Sequence, residues 1–133
     1  MYKYMLDTNF VIYVIKRRPM EMLELFNANA GRMVISSITL AELLYAAEIS
    51  ADVARNYQAV ENFASRMEVL GYSAKAARHF GDIRANLERA GTPIGVNDVH
   101  IAAHARSEGF VVVTSNTLEF KRVDGLLVEN WIN

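Results

Sequence analysis

Cysteine is absent from this 133-residue chain, and its absence excludes disulfides, thiolate metal sites and a cysteine nucleophile. Proline is scarce, with two residues, and no Pro- or Gly-rich linker, repeat or low-complexity tract marks a domain boundary. No apolar run approaches the roughly 18–20 residues of a membrane span. The stretch from Phe10 to Ile15 carries Lys16-Arg17-Arg18 on its C-terminal side, whereas a secretory leader has its positive charge first. A soluble, cytoplasmic protein is expected. Charge of one sign is also missing: 14 Lys and Arg against 15 Asp and Glu leave a net charge of −1. That excludes polyanion binding by bulk charge, though not a local basic patch. Neither a G-x-x-x-x-G-K-S/T phosphate loop nor a G-x-S-x-G elbow occurs, which sets aside P-loop nucleotide hydrolysis and serine-hydrolase chemistry. What is present is apolar content, 52% of residues, enough to bury one sizeable core in a single domain over 1–133.

Short β-prone runs occur at Tyr4-Met5-Leu6, Met33-Val34-Ile35-Ser36, Val69-Leu70, Phe110 to Thr114 and Leu126-Leu127-Val128. Between them, apolar spacing predicts helices over Asn9 to Lys16, Pro19 to Phe26, Leu40 to Glu48, Val53 to Met67, Ala74 to Ala90 and Val99 to Ser107. Strands alternating with helices predict an α/β fold with a mostly parallel central sheet. The Phe110 run has no polar alternation, as expected of a strand covered on both faces. In such sheets a ligand site lies beyond the carboxyl ends of the strands, near a switch in strand order. Asp7-Thr8-Asn9 follows the first strand, and Thr114-Ser115-Asn116 closes the Phe110 strand. Glu42 falls in the first turn of the helix after the Met33 strand, and so points toward the same rim.

Asp98 is the acid hardest to explain by solubility. Wound as a helix, the segment from Asp98 to Ala105 places Ile101, Ala102 and Ala105 around it, with His100 and His104 on the opposite face. A carboxylate in an apolar arc is costly unless a partner or a cation meets it. The other acids have ordinary readings beside the functional one. Asp7 can cap the next helix. Thr39-Leu40-Ala41-Glu42 has the form of a capping box, and Glu119 fits a solvated loop or helix start. His100 and His104 do not form a zincin site, because position 101 is Ile where that motif needs Glu. With His79, they are expected to be surface or half-buried polar residues. Taken together, the acids point to a metal-binding cluster of oxygen donors without Cys or His, a set that suits Mg²⁺.

The motifs Tyr4-Met5-Leu6-Asp7-Thr8-Asn9, Ser37 to Leu43, Pro93-Ile94-Gly95-Val96-Asn97-Asp98 and Thr114 to Phe120 resemble, in order and spacing, those of the PIN-domain nucleases. The chain is most similar to the VapC toxins of type II toxin–antitoxin systems, over essentially its whole length. The resemblance implies a PIN-like fold, with a central five-stranded sheet flanked by helices. It implies Asp7, Glu42 and Asp98 as the core acids. The fourth position is shared between Glu119 and Asn116, since many PIN domains carry Asp where Asn116 stands. Asp7 and Asp98 would hold the principal Mg²⁺, for which Mn²⁺ can substitute. Glu42 would orient the attacking water, and Glu119 would complete a second site. Thr8, Asn9 and Thr114 would fix the carboxylates by hydrogen bonds. Two departures stand out: Ala46 replaces a frequent Gly, and Asn97 replaces a frequent aromatic residue beside Asp98.

The resemblance further implies an endoribonuclease that cuts structured RNA, a tRNA anticodon stem-loop and initiator tRNA in particular. It implies a homodimer and a cognate VapB-like antitoxin, through which the pair would assemble on operator DNA. Lys16, Arg17, Arg84, Arg106, Lys121 and Arg122 are candidates for the RNA backbone. Met20, Met22, Leu23, Phe26 and the apolar side of Leu40-Leu43-Leu44-Ala47 are read as core, or else as a groove for the antitoxin or a dimer surface. A haloacid-dehalogenase-like phosphatase needs a second Asp two residues after the first, and position 9 is Asn. A receiver domain needs an acidic pair that is missing. The non-enzyme alternative is a catalytically weak or dead PIN-like module that binds RNA or an antitoxin.

Overall fold

The computed structural model describes residues 1–17 and 20–132. Five strands, β1 (Tyr4–Leu6), β2 (Met33–Ser36), β3 (Glu68–Leu70), β4 (Val111–Val113) and β5 (Leu127–Glu129), form one sheet in the order β3-β2-β1-β4-β5. Every pairing is parallel, a stricter outcome than the mostly parallel sheet expected. The helices are α1 (Thr8–Lys16), α2 (Met20–Ala28), α3 (Ser37–Glu48), α4 (Val53–Ser65), α5 (Ala74–Arg89), α6 (Val96–Glu108) and the single turn α7 (Thr117–Phe120). Pro19, the expected start of the second helix, and the side chain of Met20 lie outside the described residues.

The two-residue period of a strand divides the core. Tyr4, Leu6, Met33, Ile35, Val111 and Val113 face one cluster, with Phe10, Val11, Val14, Met22, Leu43, Ala47 and Val60 from α1–α4. Met5, Val34 and Val112 face the other, with Ile83 and Leu87 of α5 and Val99, Ile101, Ala102 and Ala105 of α6. Both faces are thereby covered, which is why the inner strands read as unbroken apolar runs. Trp131 closes the first layer, edge-on to Tyr4 and Phe10 with ring centroids 4.9 and 5.6 Å away. Met22 is buried in this cluster, whereas Leu23 and Phe26 are half-buried, packing against it while lining an open groove of about 560 Å³ with Val14, Phe63 and Met67.

Strand order explains where a site can form. The chain steps outward from β1 to β2 to β3, then crosses back to lay β4 on the other side of β1. The carboxyl ends of β1 and β4 at this switch are where sheets of this kind place a ligand site. Leu6 is in register with Val113, and the Asp7 amide donates to the Val113 carbonyl at 2.9 Å. Asp7 and Thr114 are therefore neighbours at the switch point.

Candidate active site

Asp7 is buried, 2% exposed, and both of its oxygens are engaged. Oδ1 accepts from the Thr8 amide at 2.8 Å, so the carboxylate does cap α1. Oδ2 accepts from Thr114 Oγ1 at 2.8 Å. Burial pushes the Asp7 carboxyl above its ordinary range, and the charge of Glu42 adds to the rise. The Thr114 and Thr8 hydrogen bonds oppose both. Capping and service in the cluster are compatible, because each uses a different oxygen.

The capping box at Thr39–Glu42 is not formed. Helix α3 begins at Ser37, earlier than expected, with Ser36 as its cap, whose Oγ accepts from the Ile38 amide. Thr39 lies inside the helix and is fully buried, so Glu42 has no cap to reach back to and turns inward. Its Oε1 accepts from Thr8 Oγ1 at 2.6 Å, and its Oε2 from Asn97 Nδ2 at 3.1 Å. Thr39 Oγ1 lies 3.2 Å from Thr8 Oγ1 and extends this chain of hydroxyls. Asn97, which departs from the aromatic residue expected there, is thus a partner of Glu42.

Asp98 stands in the first turn of α6, whose cap is Gly95. Its carboxyl is pushed up to about 6, first by burial and then by the charges of Asp7, Glu42 and Glu119. That coupling links all four acids, which the chain delivers from α6, the end of β1, α3 and α7. Glu119 accepts from Asn116 Nδ2 at 2.9 Å, and the Asn116 amide donates to Thr114 Oγ1 at 2.9 Å. Glu119 and Asn116, the two candidates for the fourth position, are thus joined to each other and to Thr114. The turn α7 that carries both was expected only as a loop or helix start. Asn9, expected to steady the carboxylates, is exposed and makes no side-chain hydrogen bond among the described residues.

The donor set fits a hard divalent cation. It consists of carboxylate and amide oxygens, and Asp98 is raised by burial and then by the charges of Asp7, Glu42 and Glu119. Among the described residues, no three Asp, Glu or His side chains converge as a ready-made cage. Glu42 and Glu119 are instead held back by Thr8, Asn97 and Asn116. Mg²⁺ keeps several waters and binds through one or two carboxylates, so a gathered but unclosed cluster suits it.

His79 and His100 are half-buried as expected, and His104 departs from expectation. His104 is fully buried at 1% exposure, because α6 lies between the sheet and α5 and is buried on most of its circumference. Its Nδ1 lies 2.8 Å from Ser36 Oγ. His100 stacks on Phe80 at 4.1 Å and bonds the Tyr72 hydroxyl at 2.8 Å. Burial lowers the basicity of both imidazoles. Among the basic candidates, Arg106 is committed elsewhere, to Asp82 at 2.7 Å, His79 at 2.9 Å and the Asp124 carbonyl at 2.9 Å. Lys16 and Arg17 lie at the far end of α1 from Asp7. Arg84 pairs with Glu88. Lys121 is exposed, and Arg122 donates to the Pro93 carbonyl in the turn before Asp98.

The PIN domain model matches residues 4–126. Ribonuclease VapC2 of Haemophilus influenzae is 58% identical over 132 residues, covering 99% of this chain and 100% of that protein. The tRNA(fMet)-specific endonuclease VapC of Shigella flexneri is 53% identical over 131 residues, with 98% and 99% covered. The crystal structure of DNA-bound VapBC from Salmonella typhimurium superposes with a TM-score of 0.94 at 54% identity, covering 98% of this chain and 99% of that one.

Proposed function

This chain belongs to the PIN-domain family, and within it to the VapC ribonucleases, and we propose that it is the toxin of a VapBC-type pair. In this reading it is a single-domain, Mg²⁺-dependent endoribonuclease of the cytoplasm that cuts tRNA in the anticodon stem-loop and so inhibits translation. Initiator tRNA is the first substrate to test, because a relative 53% identical is named for tRNA(fMet). The observation that carries the proposal is the gathering of Asp7, Glu42 and Glu119 around Asp98 at the switch in strand order, where burial first and then their charges push the Asp98 carboxyl up to about 6.

Asp7 and Asp98 are the residues to hold the ion. When bound, a divalent cation would supply charge stabilisation at the scissile phosphate and ease deprotonation of the attacking water. Thr114 and the Thr8 amide keep Asp7 aimed and favour its ionised form. Glu42, suspended between Thr8 and Asn97, is free at neither oxygen to wander and is placed to orient the water. Glu119, held by the Asn116 amide, adds its negative charge beside Asp98. Asp98 gives up its proton as the cation arrives, so ion binding tightens with rising pH. The partners are RNA, a second copy of the chain and a VapB-like antitoxin that carries the assembly to operator DNA; DNA-bound VapBC of Salmonella typhimurium supports the last.

The test is cleavage of total tRNA by antitoxin-free protein with Mg²⁺ or Mn²⁺ against EDTA. Discrete products with 5′-phosphate and 3′-hydroxyl ends are expected, and both Asp7→Ala and Asp98→Asn should abolish them. A 2′,3′-cyclic phosphate product would contradict the proposed chemistry. Folded, ion-loaded protein that binds tRNA or antitoxin without cutting would select the binding-module reading instead.

A further inference from the structure

Helices α3 and α6 carry two of the four acids, and α3 with its cap Ser36 meets α6 at two places, six residues apart on the α3 side and seven on α6. At one end Asn97 Nδ2 donates to Glu42 Oε2, beside Asp98. At the other, His104 Nδ1 meets Ser36 Oγ at 2.8 Å, deep in the core. Ser36 precedes Glu42 by six residues, and Asn97 precedes His104 by seven. The helices therefore run antiparallel, and six to seven residues of helix span about 9–10 Å. The lower contact is reinforced from the loop after β3. The Tyr72 amide donates to Ser37 Oγ at 3.1 Å, and the Tyr72 ring stands edge-on to His104 at 5.5 Å. Ser36 is also the cap of α3, accepting from the Ile38 amide. The start of α3 is thus held from its own backbone, from β3 and from α6.

We propose that His104 is a positioning residue of the acidic cleft, whose bond to Ser36 sets the separation of Glu42 and Asp98 and so the cleft's affinity for a divalent cation. The proposal rests on the metal-nuclease reading of the cleft. The upper contact cannot set that separation alone, because Glu42 reaches it through a long side chain and Asn97 stands at an exposed rim. The lower contact is buried, short and made by groups close to their backbones, so it transmits helix position with little slack. Partners that orient metal-binding side chains are worth about 10–100-fold in affinity where they have been removed.

The experiment titrates Mn²⁺ into antitoxin-free protein by calorimetry and records the melting temperature of each variant in EDTA. His104→Phe keeps a ring against Tyr72 and loses the nitrogen, and is expected to bind Mn²⁺ about tenfold more weakly. His104→Asn returns an amide near the Nδ1 position, and is expected to bind within about threefold of wild type even where the smaller side chain lowers the melting temperature. Ser36→Ala breaks the same bond from the other side and reads it if His104→Phe does not fold. Leu87→Ala, a core truncation on α5, should melt early with unchanged Mn²⁺ affinity. Wild-type affinity in both His104→Phe and Ser36→Ala would overturn the proposal, as would equal losses in His104→Phe, His104→Asn and Leu87→Ala. Absence of Mn²⁺ binding by folded wild-type protein would overturn the nuclease reading itself and this proposal with it.

Discussion

Asp98→Asn should make the ion-free protein more stable while destroying its activity. In the fold the Asp98 carboxyl titrates at about 6 instead of its ordinary 3.8. A raised pKa means the protonated form is the one the fold favours. Its stabilising contribution is therefore complete below about pH 4 and is lost as pH rises through about 6. A shift of roughly two units corresponds to about 3 kcal/mol at 1.36 kcal/mol per unit. Asp98 is partly exposed, and solvent screening cuts that to about 1–2 kcal/mol. The substitution also forfeits a carboxylate in the first turn of α6, worth roughly 0.3–1 kcal/mol to the helix. The net gain at pH 8 is about 1 kcal/mol, or roughly 3–4 °C in melting temperature for a domain of this size. At pH 4 the gain should vanish, because Asp98 and its neutral replacement then carry the same charge. Adding Mg²⁺ should raise the melting temperature of wild type and do far less for the variant. Scanning calorimetry at pH 4, 6 and 8, with EDTA and with Mg²⁺, reads all three effects. A variant less stable than wild type at pH 8, a gain independent of pH, or an undiminished Mg²⁺ response would refute the reasoning.

Other perturbations separate the parts of the molecule. Thr114→Val removes the hydroxyl that faces Asp7 Oδ2, and should weaken Mn²⁺ binding by about 10–100-fold in a calorimetric titration. Phe120→Ala, at a fully buried position behind Glu119, should cost about 3–5 kcal/mol in urea unfolding. Arg106→Ala should lower the melting temperature and leave tRNA affinity unchanged, since that guanidinium is committed to Asp82, His79 and the Asp124 carbonyl. Arg122→Ala, on the turn before Asp98, should weaken tRNA binding and reduce its salt dependence by about one phosphate contact.

Most of the elements, and the four acids as candidates, were legible in the amino-acid sequence. β1 and β2 lie within the runs read from composition, and Asp7, Glu42, Asp98 and Glu119 were legible because each sits in a short motif tied to a strand end or helix start. Such signals are local: a strand's period, a turn and a cap are written in residues a few positions apart. What only the tertiary structure decided depends on partners far away in the chain. The bond from Thr114 to Asp7 joins residues 107 positions apart, and that between His104 and Ser36 joins residues 68 apart. No periodicity in α6 could show that its histidine face is buried, because that face meets α3 and the loop after β3 while its apolar face meets the sheet. Nor could the local text decide between two caps for α3. Ser36 won because the core takes Thr39 inside the helix, and that burial turned Glu42 from a capping residue into a member of the cleft.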